Sequence, residues 1–151
     1  VLAEAYTCWK HLIDTQGDLI DPSVRFRFHQ GRDMTACDVE TVRAAIRNIT
    51  PKLYQRMAGY DALVAPTVPI APPPIAEVEA DTVKYRIANA FALRNTQLGN
   101  LLACCALTLP VGASPTPAGL MIMAPSGDDD RLLRVGKAIE SVIEFAVGDQ
   151  G

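Results

Sequence analysis

The part of the sequence that decides the fold is residues 95–112, which read NTQLGNLLACCALTLPVG. It begins with polar residues, continues through an uncharged apolar run, and ends in a proline and a glycine. Residues 106–109 are typical of a short buried strand, and the proline and glycine predict its end. A core strand does not account for Asn95, Thr96 and Asn100 just ahead of it. The stretch is therefore either only a core strand with the residues that lead into it, or the wall of a chemical site.

Two more strands are predicted, one before and one after this stretch. Residues 62–65 suit a short buried strand, and the five prolines between positions 66 and 74 predict that a stiff, extended loop follows it. The segment LMIMA at 120–124 predicts another strand. Because only a short turn separates it from the strand at 106–112, we expect these two strands to be antiparallel neighbours.

Amphipathic helices are predicted around the three strands. Apolar spacing, glycines and prolines place them at about 2–16, 22–31, 35–58 and 82–93, with a last helix from about 128. Asp21 is expected to cap the second helix. The clearest start is TACD, a capping box in which Thr35 bonds the amide of Asp38 and the Asp38 carboxylate is favoured at the positive end of the helix. Pro51 removes a backbone donor, so we expect a kink or a restart of this helix at Thr50.

The last helix begins with three successive aspartates at 128–130. Their charge complements the helix dipole, so we interpret them as a helix start and not as a metal cluster. The side chains expected to be buried on one side of this helix are Leu132, Val135, Ile139, Val142, Ile143 and Ala146.

About three strands with five or six helices indicate an α/β fold with a mixed sheet flanked by helices. The 151 residues, 49% of them hydrophobic, are enough for one core, so we expect a single domain over 1–151. Three strands are few for a self-sufficient domain of this class.

Composition excludes several classes of partner. A net charge of −3 offers no basic face for nucleic acid or for a membrane surface. The longest apolar run, 101–109, is far shorter than the roughly 20 residues that span a bilayer. The four cysteines, at 8, 37, 104 and 105, have no spacing typical of zinc, so we expect reduced thiols in a cytoplasmic protein. No cofactor and no metal are predicted.

The residues alone predict no complete active site. Ser114 lies in GASPT, which has Thr116 where a nucleophile elbow needs its last glycine. His11 and His29 lie on or beside helices, and no carboxylate has the spacing to orient either imidazole. We therefore assign no catalytic residue.

Three segments in succession nevertheless carry a resemblance. They are YDALVAPTVPIAPPPI, then LRNTQLGNLLACCALTLPVG, then AGLMIMAPSGDDDRLLRVGKAIES. Their order and separation over roughly residues 21–141 resemble the carboxy-terminal part of the amidase signature family. The fold implied is a partial amidase-signature fold, in which this chain contributes one side of a larger sheet.

The resemblance also implies a function. Family members cleave amides with a serine nucleophile, a second serine in a cis peptide, and a neutral lysine, all carried by the amino-terminal and middle part of their chains. We therefore expect this chain to supply strands and cleft walls for a small-molecule amide substrate, and to be inactive without the missing amino-terminal half. Thr67, Asn95, Thr96 and Asn100 are the cleft-wall candidates implied. The alternative is that such polar side chains only satisfy buried backbone groups.

An incomplete sheet would expose an apolar seam and an unpaired strand edge, so we also expect a homo-oligomer. A second interpretation of the chain is a non-catalytic fragment that serves as a self-associating or scaffolding module. A third is a component of an amidotransferase that works on charged tRNA, for which the acidic balance offers no support.

Overall fold

The computed structural model describes residues 2–111 and 118–143 of the chain. Contacts group the chain into two compact units, 1–47 and 48–151, and each unit is described by itself. The single domain expected over 1–151 stays a prediction. The elements are α1 (Leu2–Gln16), a 3₁₀ helix (Gly17–Leu19), α2 (Pro22–Arg32), α3 (Ala36–Met57), β1 (Leu63–Pro66), α4 (Ile75–Ala80), α5 (Thr82–Leu101), β2 (Cys105–Val111), β3 (Ala118–Ala124) and α6 (Asp129–Glu140).

The first unit consists of α1, α2 and the start of α3. The Asp21 carboxylate accepts the amides of Ser23 and Val24, which confirms the predicted cap. Gly31 is buried where α2 meets the start of α1, and a Cβ at this position would clash with the Leu2 carbonyl. Glycine is required here because the two backbones touch.

The helix α3 begins at the predicted capping box. The Thr35 hydroxyl accepts the amide of Asp38 at 3.1 Å, and the Asp38 carboxylate accepts the amide of Thr35 at 2.9 Å. The helix continues as one segment across Pro51, so of the kink or restart predicted at Thr50 the restart is wrong and the kink stays a prediction. It stops before Gly59, whose φ of 89° lies in the left-handed region that favours glycine.

The second unit contains the sheet, with strand order β1-β3-β2. Both pairings are antiparallel, and the register places Ile122 of β3 between Val64 of β1 and Leu107 of β2. The antiparallel neighbours predicted from the short turn are confirmed. The α/β class is confirmed as well, but among the residues that the structure describes the sheet is antiparallel and not mixed.

One face of the sheet carries the core, which α6 covers. Ile122, Ala124 and Leu132 are buried together, and Val135 and Ile139 pack against them. The predicted helix start at 128–130 is confirmed, and so is the burial of Leu132. The predicted burial of Val142 is wrong, because this side chain is 79% exposed; Ile143 is half-buried and Ala146 lies outside the described residues.

The largest departure from the sequence prediction concerns α4 and α5. The short helix α4, directly after the proline loop, was not predicted. The following helix, capped by Asp81, continues to Leu101 instead of ending near residue 93. Asn95, Thr96 and Asn100 therefore lie on the last two turns of a helix, and the strand β2 begins only at Cys105.

None of the helices in residues 2–111 and 118–143 combines the length and the apolar character needed to cross a lipid bilayer.

Candidate functional site

A pocket of 260 Å³ lies where the end of α5 meets the sheet. Thr96 and Asn100, two of the predicted cleft-wall residues, line it from α5. Cys104 lines it from the turn after α5, and Thr108 lines it from β2. Met121 of β3 contributes to the same lining, so the pocket joins the helix to two strands.

The other two predicted residues do not line this pocket: Thr67 directly follows β1 and is hydrogen-bonded to the pocket residue Thr108, and Asn95 lies on α5 and is hydrogen-bonded to the end of β1. The hydroxyls of Thr67 and Thr108 are 3.1 Å apart. The Asn95 side-chain amide donates to the Pro66 carbonyl at 2.7 Å. The structure thus brings Thr67, Thr96 and Asn100 around Thr108, and Asn95 anchors the strand end that presents Thr67.

Strand register explains why Thr67 and Thr108 meet. Ala65 of β1 and Thr108 of β2 both pair with Met121, so their side chains point to the same face of the sheet. Thr67 is two residues after Ala65 and therefore points to that face as well. The Thr67 amide donates to the Gly119 carbonyl at 2.8 Å, which continues the pairing one residue past β1. A Cβ on Gly119 would lie 2.6 Å from the Thr67 hydroxyl oxygen, so only glycine leaves room for this contact.

Sequence reasoning missed Thr108 as a site residue. A signal was present, because it is a polar residue inside the otherwise apolar run of β2. Its partner Thr67 is 41 residues away in sequence, however, so no local spacing indicates the pair.

The pocket is lined by uncharged groups. Its polar members are hydroxyls, an amide and the Cys104 thiol. Burial raises the pKa of the Cys104 thiol, and the neighbouring Cys105 raises it further. Cys104 is therefore protonated at neutral pH and is not an activated nucleophile. The lining can donate and accept hydrogen bonds but contains no charged side chain.

Two of the candidates already serve the backbone. The Thr96 hydroxyl donates to the Leu93 carbonyl at 3.1 Å, within its own helix, and Asn95 satisfies the carbonyl of Pro66. These contacts agree with the alternative that the polar residues satisfy backbone groups. Asn100 is exposed, and its side chain lines the pocket. Whether any of the four contacts a substrate stays a prediction.

A serine hydrolase centre needs a serine beside its base, and a metal centre needs grouped ligands. No serine hydroxyl in residues 2–111 and 118–143 is hydrogen-bonded to a lysine; that of Ser141 donates to the Ala138 carbonyl at 2.8 Å. Ser114 lies outside the described residues. Within the same part of the chain, no three His, Cys, Asp or Glu residues are grouped so that they could hold a metal ion.

A separate pocket of 680 Å³ lies within the first unit, between α1 and the start of α3. Arg43 lies on its wall and forms ion pairs with Glu40 at 3.0 Å and Glu4 at 3.6 Å. All three side chains are more than half exposed, so these pairs contribute little to stability.

The family model described as Amidase matches residues 4–133, most of the chain. The chain belongs to the amidase family. It is 35% identical over 127 residues to the 2-amino-5-chloromuconic acid deaminase of Comamonas testosteroni, a match that covers 82% of this chain. It is 37% identical over 92 residues to a glutamyl-tRNA(Gln) amidotransferase subunit of Acidothermus cellulolyticus, covering 59% of this chain.

A solved amidase structure resembles the fold with a TM-score of 0.78 at 23% identity, over 95% of this amidase-family chain. A glutamyl-tRNA(Gln) amidotransferase subunit of Thermotoga maritima resembles it with a TM-score of 0.62 at 20% identity. The chain spans only a small part of the length of these proteins, although each match covers most of this chain. It covers 27% of the deaminase, 34% of the solved amidase and 17% of the Acidothermus protein.

Proposed function

We propose that this chain is the carboxy-terminal part of an amidase that hydrolyses an amide C–N bond in a small molecule. The observation that carries the proposal is the family match over residues 4–133, together with a chain that covers only 27% of the deaminase and 34% of the solved amidase. In this proposal a companion amino-terminal segment provides the two serines and the lysine. The chain alone is then inactive, and the reaction takes place in the cytoplasm.

The neutral pocket supports an amide as the substrate. An amide has one carbonyl acceptor and N–H donors but no charge, and the groups around Thr108 can match both kinds of hydrogen bond. An ionised substrate would lose its hydration against this lining without gaining a counter-ion. We propose that Thr96 and Asn100 form the wall, that Thr67 is held at its rim by Thr108, and that Asn95 fixes the rim to α5.

An exposed apolar surface supports the need for a companion segment. Val83, Ile87, Phe91 and Leu98 recur along one side of α5, and we name these four residues the α5 stripe. They are between 46% and 62% exposed, and the Arg94 guanidinium lies 5.9 Å from the centre of the Phe91 ring. Exposed apolar side chains that repeat along one helix face are typical of an interaction surface. We propose that the companion segment packs on the α5 stripe, because the solved amidase is about three times longer than the part that this chain covers.

The test is a complementation experiment. This chain is mixed with a separately expressed amino-terminal segment of an amidase, and amide hydrolysis is measured for each component and for the mixture. We expect turnover only in the mixture, with a fluorophosphonate probe labelling the added segment alone. Turnover or probe labelling by the 151-residue chain itself would overturn the proposal.

A matched pair of variants tests the α5 stripe in the same assay. Phe91→Asp places a charge in the proposed interface and is expected to raise the apparent Kd of the two segments about tenfold or more. Leu133→Asp is the control, because Leu133 is 62% exposed on α6, outside the stripe. Equal effects of the two substitutions would remove the α5 stripe from the interface.

The second candidate function is a non-catalytic module that associates with itself. The α5 stripe also supports this candidate, since an exposed apolar helix face can pair with a second copy. Light scattering of the chain alone distinguishes the two. A stable homo-oligomer that Phe91→Asp converts to a monomer, and that the companion segment does not dissociate, favours the module.

A narrower form of the leading proposal is a component of an amidotransferase that works on charged tRNA. It is supported by the likeness to the Acidothermus and Thermotoga proteins. The net charge of −3 does not support direct contact with RNA. Stimulation of the complemented activity by charged tRNA would favour this form, and activity on a free small amide without tRNA would favour the amidase.

A further inference from the structure

Tyr54 of α3 joins three segments that are distant in sequence. Its hydroxyl donates to the carbonyls of Leu102 and Ala103, at 3.0 and 2.8 Å, and accepts the amide of Ser126 at 3.1 Å. The partners lie 48, 49 and 72 residues away along the chain. One phenol oxygen therefore connects α3 to the turn after α5 and to the turn after β3.

The turn that Tyr54 holds has an unfavourable backbone conformation. Ala103 has a φ of 52°, the left-handed region that glycine usually occupies at the end of a helix. The Cys104 amide donates back to the Gly99 carbonyl at 2.9 Å, which closes the end of α5 around this residue. An alanine carries a steric cost in this conformation that glycine does not, so the turn needs support from outside.

Residues before and after Ala103 in the chain line the pocket. Asn100 lies on the last turn of α5 before it, and Cys104 directly follows Ala103; both line the pocket. Tyr54 itself is not among the lining residues. It contacts the backbone of the turn and can act on the pocket only through that turn.

We propose that Tyr54 is a positioning residue, whose hydroxyl holds the turn 102–104 so that Asn100 and Cys104 form the pocket wall. That this wall serves amide hydrolysis rests on the proposed function; that Tyr54 holds the wall does not. Loss of the hydroxyl leaves the ring in place but removes the donor to two carbonyls and the acceptor for Ser126. The turn then opens locally, and the half-buried Cys104 thiol becomes more accessible.

The adjacent thiol provides an internal control. The Cys105 sulfur donates to the carbonyls of Ala124 and Pro125, at 3.5 and 3.3 Å. Its own residue is fixed in β2 by pairing with Ala124 of β3, and only the Pro125 carbonyl belongs to the peptide whose Ser126 amide Tyr54 accepts. Cys104 and Cys105 are both half-buried, so they start from the same class of exposure. A local opening of the turn exposes the first thiol, whereas loss of the fold exposes both.

The experiment compares iodoacetamide labelling of the full 151-residue chain and of its Tyr54→Phe variant, with modification at each cysteine read by mass spectrometry. We expect labelling of Cys104 to accelerate about fivefold with Cys105 unchanged, the factor that the net loss of one hydrogen bond gives, because the hydroxyl has a single proton to share between the two carbonyls of the turn. Tyr60→Phe is the matched control, since Tyr60 is 70% exposed, and it should change neither rate. Unchanged labelling of Cys104 would overturn the proposal, and so would equal acceleration of both thiols, which indicates a general loss of fold.

The complementation assay adds a readout on function. With the companion segment present, Tyr54→Phe is expected to raise KM about fivefold with kcat unchanged, because the wall is displaced while the reacting groups lie elsewhere. Absence of activity in every mixture, with selective labelling of Cys104 intact, refutes the hydrolase proposal and leaves the role of Tyr54 standing. A wild-type KM in the variant, with activity present, refutes the role of Tyr54 in the site.

Discussion

Replacing Gly119 with alanine should destabilise the sheet at the candidate site. The added Cβ would lie 2.6 Å from Thr67 Oγ1, 2.9 Å from Thr67 Cβ and 3.0 Å from Thr108 Cγ2. A hydroxyl can rotate away, but the Thr67 Cβ is fixed by its backbone, which is bonded to Gly119 itself at 2.8 Å. The strand end must therefore shift, at a cost of about 1–3 kcal/mol.

Urea unfolding followed by circular dichroism measures this cost. For an m value of about 2 kcal/mol/M, the midpoint should fall by about 0.5–1.5 M with m unchanged. Gly99→Ala is the matched control, because its added Cβ meets only Met123 Sδ at 3.5 Å and it lies inside α5, where alanine is favoured by about 0.5–1 kcal/mol. The steric reasoning is refuted if Gly119→Ala leaves the midpoint unchanged, or if adding Thr67→Gly restores none of the lost stability.

Three further predictions concern other parts of the chain. Ala103→Gly relieves the left-handed strain of about 1–2 kcal/mol at the expense of a more flexible unfolded chain, so it should raise the free energy of unfolding in urea by about 0.5–1 kcal/mol; a lower midpoint would contradict it. Ile122→Ala empties a fully buried position and should cost about 2–5 kcal/mol in the same measurement, whereas Leu133→Ala on the exposed side of α6 should change little. Hydrogen bonds from Thr35 lower the pKa of Asp38 below its ordinary value of 3.8, so this carboxylate stabilises the folded chain above that pH and the effect is lost as the pH falls through the lowered pKa. The midpoint difference between wild type and Asp38→Asn should therefore shrink on acidification, and a difference that does not depend on pH would contradict this assignment.

The elements that the sequence predicts correctly have local signals. Two helix starts are marked by side chains that accept nearby backbone amides, Asp21 before a proline and the TACD capping box. One helix end is marked by Gly59, which takes the left-handed conformation. The β2–β3 pairing was predictable for the same reason, since only a short segment separates the two strands.

The elements that it misses depend on contacts that no short window contains. Asn95, Thr96 and Asn100 have no strong helix propensity, and the uncharged run after them is equally compatible with helix and strand. The end of α5 has no glycine to mark it, because Ala103 takes the left-handed conformation with support from Tyr54. Pro51 breaks a helix only when the rest of the helix cannot tolerate one lost hydrogen bond, and α3 continues for six residues beyond it.

The candidate site also depends on contacts between residues that are distant in sequence. The residues Thr67, Asn95, Thr96 and Asn100 were identified by resemblance and not by any pattern of charge or spacing. In the structure Thr96 and Asn100 line one pocket with Thr108, which lies 41 residues from its hydrogen-bond partner Thr67. A site built from neutral side chains on separate elements leaves no signature of the kind that metal ligands or phosphate loops leave in a sequence.

The central position of β3 also sets an order of events during folding. Residues 112–117 alone separate β2 from β3, so this hairpin can close within microseconds, whereas β1 must reach β3 across the whole of α4, α5 and β2. Until β1 arrives, one side of β3 presents unpaired amides and carbonyls to any strand it meets. The concentration at which the chain is synthesised or refolded therefore decides whether β3 is completed by its own β1 or by a strand from a neighbouring molecule.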